Sequence, residues 1–242
     1  MIVGLAHPGE MGAALGDALA AAGHDVLWAS EGRSDATRAR AAAFRDVRTS
    51  AALAADSEVI LSVCPPHAAL DVAGAMSGFA GVYVDANAIS PARAREVAAL
   101  QPRFVDGGIV GSPPRTAGTT RVYLSGDDAA IVAALFDGTI VDARVSSDAS
   151  ALKMTYAAWS KGSAALLLAI RDVARATGVW NELQAEWGLS APQLFERLES
   201  AERSANAKGW RWIGEMEEIA DTFGEAGAPQ GFHRAAAEVY RG

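Results

Sequence analysis

Lys153 is the residue whose surroundings best suit it to move a proton. It lies in Ser150-Ala-Leu-Lys-Met-Thr-Tyr156, a mostly uncharged stretch near the start of a long apolar helical pattern. An ammonium partly desolvated there has its pKa drawn down toward neutrality, where acid–base transfer is efficient. Helical spacing sets Tyr156, Ser160 and Lys161 on or near the same face. The plain alternative is a lysine that snorkels from a helix surface.

A second group of residues is suited to holding phosphate. Ile2-Val-Gly-Leu-Ala6 is apolar and fit for a buried strand, and His7-Pro-Gly-Glu-Met-Gly12 is a tight turn. Ala13 to Ala22 reads as a helix closed by Gly23, and His24 to Ala29 as a second strand. That order is the unit that holds a dinucleotide pyrophosphate at a helix N-terminus, where free N–H groups and the helix dipole favour an anion. His7, Pro8, Gly9, Glu10 and Met11 are therefore expected to line the phosphate turn. At the end of the second strand a carboxylate would select NAD, whereas arginine with small polar groups accepts the extra phosphate of NADP. Ser30, Arg33 and Ser34, with Arg38 farther on, favour NADP, and Glu31 could instead bond the ribose of NAD.

Cys64, Pro65 and Pro66 follow a buried strand and are expected to flank the cofactor, as is Asn87 after the next strand. Cys64 has no accompanying His or Asn motif that would make it a nucleophile. Gly111 and Ser112 are expected to offer backbone and hydroxyl donors to a substrate, while Gly107 and Gly108 read as structural turn glycines. Trp210, Arg211, Trp212 and Glu215 fit a core or subunit interface; the alternative is an apolar substrate pocket shaped by Trp210 or Trp212. Acidic residues do not cluster at metal-ligand spacing, so no metal is expected.

The elements that must position these groups form two domains. Short apolar runs alternate with helical patterns from Ile2 to about Val145, the signature of a parallel α/β sheet. Strands are expected near 45–48, 58–63, 81–85, 104–106, 121–125 and 138–141, with 107–118 as a ligand-facing loop. The composition then changes. Ala149 to Thr177 reads as one long helix closed by Gly178, followed by a helix introduced by Ser190 with Pro192 early in it. The expected division is a dinucleotide-binding domain over 1–146 and an all-helical substrate and dimerisation domain over 147–242. A small helical core with apolar residues on several faces of its long helix points to a homodimer through this region.

The chain has 242 residues, half of them hydrophobic, which suits a folded globular protein. A formal charge of −8 argues against nucleic acid as a partner, because phosphate contacts need a basic surface. Cys64 is the single cysteine, which excludes an internal disulfide and fits a reducing cytoplasm. No basic leader precedes the first strand, so no signal peptide is expected, and the apolar run from Ala164 to Ile170 is too short to span a bilayer.

These motifs resemble the β-hydroxyacid dehydrogenase / 6-phosphogluconate dehydrogenase superfamily. The matching stretches are Gly9-Glu-Met-Gly12, Ala22-Gly-His24, Val59 to Pro65, Asp85 to Pro91, Asp106 to Ser112, and Lys153, in the family's order. The helical half, with Trp210-Arg-Trp-Ile-Gly-Glu-Met-Glu-Glu218, is similar to a little-characterised branch. The resemblance implies hydride transfer between a nicotinamide and a small hydroxy or keto substrate, with Lys153 exchanging a proton with the substrate hydroxyl. Four departures stand out. His7 and Pro8 replace the first two residues of the family's Gly-Leu-Gly, and Val110 replaces its substrate-loop serine. Ala157 stands where the family has asparagine, beside Tyr156, which could supply that hydrogen bond, and the later lysine-aspartate pair is not cleanly present, although Lys208 and Arg211 lie nearby. Two other readings follow from the departures: a C=N reductase, as in relatives altered near the lysine, and an NADP-binding sensor without turnover.

Overall fold

The computed structural model describes residues 1–242, and the chain divides into two compact units, Met1–Lys153 and Met154–Gly242. The first unit opens β1 (Ile2–Leu5), α1 (Glu10–Ala21), β2 (Asp25–Trp28), α2 (Asp35–Arg40), β3 (Arg45–Asp46), α3 (Ser50–Asp56) and β4 (Val59–Ser62). It continues through α4 (Ala69–Gly74), β5 (Val82–Asp85), α5 (Pro91–Ala98), β6 (Phe104–Gly111), β7 (Thr120–Ser125), α6 (Ala129–Ala134) and β8 (Asp142–Val145).

All eight strands join one sheet in the order β3-β2-β1-β4-β5-β6-β7-β8. Every pairing is parallel except β6 with β7, which run antiparallel. Alternation along the strands feeds two cores. Val3, Leu5, Val26, Trp28, Val59 and Leu61 pack with Leu15 and Leu19 of α1 on one face. Leu27, Ile60 and Tyr83 pack with Leu53, Ala73 and Val97 of α3, α4 and α5 on the other. This is a doubly wound Rossmann-type sheet. Each fully buried leucine in it contributes roughly 1.5–3 kcal/mol. The strand order reverses between β1 and β4, so the ligand crevice of such a sheet lies beyond their C-terminal ends.

Helix α7 (Ala149–Ala176) begins in the first unit and continues in the second, which adds α8 (Trp180–Ser190), α9 (Gln193–Glu225) and α10 (Gly231–Arg241). The second unit is all helical. Its core joins Leu167, Leu168, Trp187, Leu198 and Ala201, with Trp187 edge-on to both Trp180 and Phe195.

Three local expectations are corrected. Gly107 and Gly108 are not turn residues; β6 runs through them to Gly111, paired with β7 from Asp106↔Ser125 to Gly111↔Thr120. The strand expected at 138–141 is a turn, with Gly138 at φ 74 and the Thr139 hydroxyl donating to the carbonyls of Phe136 and Val141, so β8 starts later. Ser190 ends α8, its hydroxyl donating to the Glu186 carbonyl, and Pro192 is the N-cap of α9.

Candidate active site

The turn after β1 closes on itself. The Gly9 amide donates to the His7 carbonyl at 2.8 Å, and the Ala13 amide to the Gly9 carbonyl at 2.9 Å. Gly9 is the N-cap of α1 and offers no capping side chain, so the first amides of that helix remain available to an anion. A Cβ at Gly12 would stand 2.6 Å from the His7 carbonyl, whereas one at Gly9 would meet nothing within 4 Å. Gly12 thus lets the turn pack on the helix, and Gly9 leaves an open approach. Pro8 removes one backbone donor from this cradle.

Arg33, in the loop after β2, supplies the compensation. Its Nη1 donates to His7 Nδ1 at 2.7 Å and its Nη2 to the Ala6 carbonyl at 3.0 Å. A guanidinium only donates, so Nδ1 carries no proton and the neutral ring keeps its hydrogen on Nε2. Burial, and then the Arg33 charge, hold the His7 pKa below its ordinary value. His7 is thereby fixed as a neutral donor in the turn that Pro8 depleted. The Arg33 Nε is buried with no partner, one more donor in the same cradle. Open helix amides, a bare Gly9 and an unmatched guanidinium nitrogen fit a dinucleotide pyrophosphate.

Beyond β2 and β3 lies a cleft of about 470 Å³ lined by Ser30, Glu31, Arg38, Asp46, Arg48 and Thr49. The Glu31 amide donates to the Arg48 carbonyl at 2.8 Å, tying the two strand-end loops together. Arg48 holds a left-handed backbone at φ 71, unusual for a residue with a Cβ, and its amide donates to Asp46 Oδ1. Arg38 donates to the Ser30 carbonyl at 2.9 Å. Ser34, expected here, instead caps α2 by accepting from the Thr37 amide. Arg48 was not singled out from the sequence; the only signal was its position just past a two-residue strand.

Asn87 ties the ends of β4 and β5. Its Oδ1 accepts from the Cys64 amide at 2.5 Å, and its Nδ2 donates to Ser62 Oγ at 3.2 Å and Asp85 Oδ2 at 2.8 Å. Its amide is thus committed to holding the Cys64-Pro65-Pro66 loop. The Cys64 thiol is pushed up to about 12, first by burial and then by the Asp85 charge, so it stays protonated and poorly nucleophilic. Asp85 is wholly buried, and burial pushes its carboxyl up to about 7 against the opposing hydrogen bonds from Asn87.

Lys153 is seated by β6 and β7. The Asp106 carboxylate accepts from the Ser150 amide at 2.7 Å, Ser150 Oγ at 2.5 Å and Ser125 Oγ at 3.1 Å, while Ser125 Oγ accepts from the Ala149 amide at 2.9 Å. A carboxylate at a helix start also complements the dipole of α7. A Cβ at Gly108 would lie 2.6 Å from the Ala149 carbonyl and 2.9 Å from Lys153 Cβ, so the bare strand lets the first turn of α7 rest directly on it. Lys153 forms no ion pair, and burial draws its pKa down to about 8. Asp106, Ser125 and Gly108 as seats of the lysine escaped the sequence reading, because they act across the fold and not along the chain.

Of the remaining expected residues, Gly111 ends β6 at φ 122 and the Ser112 carbonyl accepts from Thr120 Oγ1 at 2.6 Å. Tyr156 lies one turn along α7 from Lys153 and is 48% exposed. Trp210 is 61% exposed with Arg211 stacked 5.0 Å from its ring, whereas Trp212 packs edge-on against Tyr240 at 5.1 Å.

Residues 3–88 match the family described as NADP oxidoreductase, coenzyme F420-dependent, and residues 174–242 match a domain of unknown function, DUF1932. A solved conserved protein, described as structurally similar to 3-hydroxyacid dehydrogenases, is 28% identical with a TM-score of 0.72, covering 100% of this chain and 97% of its own. The chain shares the fold of the 3-hydroxyacid dehydrogenases. The Mycobacterium tuberculosis 3-hydroxyisobutyrate dehydrogenase shares the fold at 19% identity and TM-score 0.65, over 99% of this chain and 92% of that one. So does a reductive aminase from Aspergillus terreus, solved with NADPH and ethyl levulinate, at 18% identity and TM-score 0.60 over 99% and 92%. An uncharacterised 28.5 kDa protein of Methanothermus fervidus is 29% identical over 168 residues, which is 66% of this chain and 65% of that protein. In the present chain the turn after β1 carries the His7–Arg33 pair.

Proposed function

We propose that this dehydrogenase-like chain uses NADP, with NAD the weaker ligand, and exchanges hydride with a small hydroxy or keto substrate, Lys153 moving the proton. The observation that carries the reading is Lys153 itself, seated on Gly108, without a counter-ion and with a pKa of about 8. The nicotinamide supplies or accepts the hydride when bound. Lys153 Nζ does the rest: as an ammonium it donates to the oxygen of a carbonyl being reduced, and as an amine it takes the proton of a hydroxyl being oxidised. Asp106 and Ser125 hold the helix turn that aims it. Gly111 and Ser112 border β6 as the substrate-side donors, with Tyr156 one turn along the helix and Trp210 on α9.

His7, Gly9, Glu10 and Met11 present the pyrophosphate turn, and Cys64, Pro65 and Pro66, fixed by Asn87, form the opposite lip. Arg38 and Arg48 with Ser30 and Thr49 take the 2′-phosphate in their cleft, and Arg33 braces the turn. A lysine ammonium would repel an iminium, which favours a carbonyl substrate over a C=N bond. Substituting Lys153→Met should abolish turnover of a panel of short hydroxy acids with NADP while leaving NADPH affinity unchanged. Turnover that survived the substitution would remove Lys153 from the chemistry, and a wild-type protein that binds NADPH but turns over nothing would be a sensor.

We further propose that the chain pairs with a second copy through its helical unit. Leu166 and Val173 stand exposed seven residues apart on α7, a stripe the protein itself does not cover.

A further inference from the structure

The helical unit holds a second cleft, of about 240 Å³, between α7 and α9. Its polar wall consists of Ser160 and Ser163 from α7 and Arg197, Ser200 and Ser204 from α9. The spacings are those of helix neighbours, three apart on α7 and three and four apart on α9, so each set shares one face. Serine is a mediocre helix former and inside helices usually bonds a preceding carbonyl. Elsewhere in this unit hydroxyls do so: Thr177 donates to Val173 at 2.8 Å, Ser190 to Glu186 at 3.0 Å and Thr222 to Glu218 at 2.8 Å. The hydroxyls of Ser163, Ser200 and Ser204 make no hydrogen bond within the chain.

The charge at the cleft is also unmatched. Arg171, Arg203, Arg234 and Arg241 each hold a carboxylate; Arg197, like Arg175 and Arg211, pairs with none and lies against a tryptophan ring, that of Trp159 at 5.9 Å from its centre, and of these three it is the one that lines the cleft. Glu215, the nearby acid beside Trp212, is neutralised by Lys161. One free guanidinium among donor hydroxyls, with Trp159 and Trp212 as walls, is chemistry for an oxyanion carried on a small organic body. We propose that this cleft binds a small organic carboxylate or phosphate through Arg197, Ser200 and Ser204.

The test titrates the full-length protein, saturated with NADPH, with inorganic phosphate and separately with succinate, at constant ionic strength, following tryptophan fluorescence and heat. Saturable binding of one of them is expected, weakened about tenfold in Arg197→Gln, as loss of a charge-assisted contact implies, and less in Ser200→Ala with Ser204→Ala. Preference for phosphate or for succinate tells which head group the site takes. Unchanged NADPH affinity and unchanged thermal melting in the variants exclude a folding artefact. If neither anion saturates, or if Arg197→Gln binds as well as the wild type, the proposal is wrong. It is equally wrong if Arg197→Gln alters only the oligomeric mass, which would make the cleft a subunit seam.

Discussion

Asp85 shows how much of this site is set by single buried groups. Its carboxyl is raised to about 7 by burial, with Asn87 as its donor and no cation beside it. The folded state therefore holds a proton that the unfolded chain releases near pH 4, so this group's stability is fully present in acid and is lost as pH rises through about 7. Melting temperature should fall between about pH 4 and pH 7, by a contribution of up to about 4 kcal/mol, and Asp85→Asn should flatten the slope. Lys153 runs the other way in function. Reduction should decline and oxidation should rise as pH passes about 8, and Lys153→Arg, always charged, should lose oxidation throughout the range. Arg33 and Arg48 should separate two roles. Arg33→Leu frees His7 and should weaken NADPH and NADH alike, whereas Arg48→Leu should weaken NADPH alone, each by about tenfold in calorimetric affinity.

At the scale of elements, α7 is the part whose placement matters most. Its first turn hangs from Asp106 by two serines and an amide. Removing that acceptor in Asp106→Ala should cost about 1–3 kcal/mol in denaturant unfolding and should lower kcat with little change in NADPH affinity. Leu166→Glu with Val173→Glu should convert a dimer to a monomer by light scattering while preserving the helical circular dichroism signal. The sequence made α7 legible because apolar periodicity over a long stretch is a local signal. The β1–α1–β2 unit was legible for the same reason, with Gly9 and Gly12 marking its turn. The seat of α7 was not. Gly107 and Gly108 resemble turn glycines in the chain, and only the approach of Ala149 and Lys153 to Gly108 shows why a strand there lacks side chains. Arg33 is expected at the cofactor from the sequence, but its grip on His7 depends on two loops that meet only in the fold.

The whole molecule joins a Rossmann-type unit, which carries every expected dinucleotide residue, to a helical unit with its own polar cleft. No helix is long and apolar enough to cross a membrane. The acidic chain, with a formal charge of −8, repels anions at long range, so dinucleotide affinity must come from local donors: the open amides of α1, His7 Nε2 and the arginines at 33, 38 and 48. The measurement that tests this account most directly is a titration of NADPH and of NADH into the purified protein, followed by nicotinamide fluorescence. Micromolar NADPH binding, at least about tenfold tighter than NADH, is the predicted result. Failure to bind either dinucleotide would mean that Pro8 has broken the cradle despite His7, and equal or tighter binding of NADH would mean that Glu31, not Arg38 and Arg48, governs the ribose.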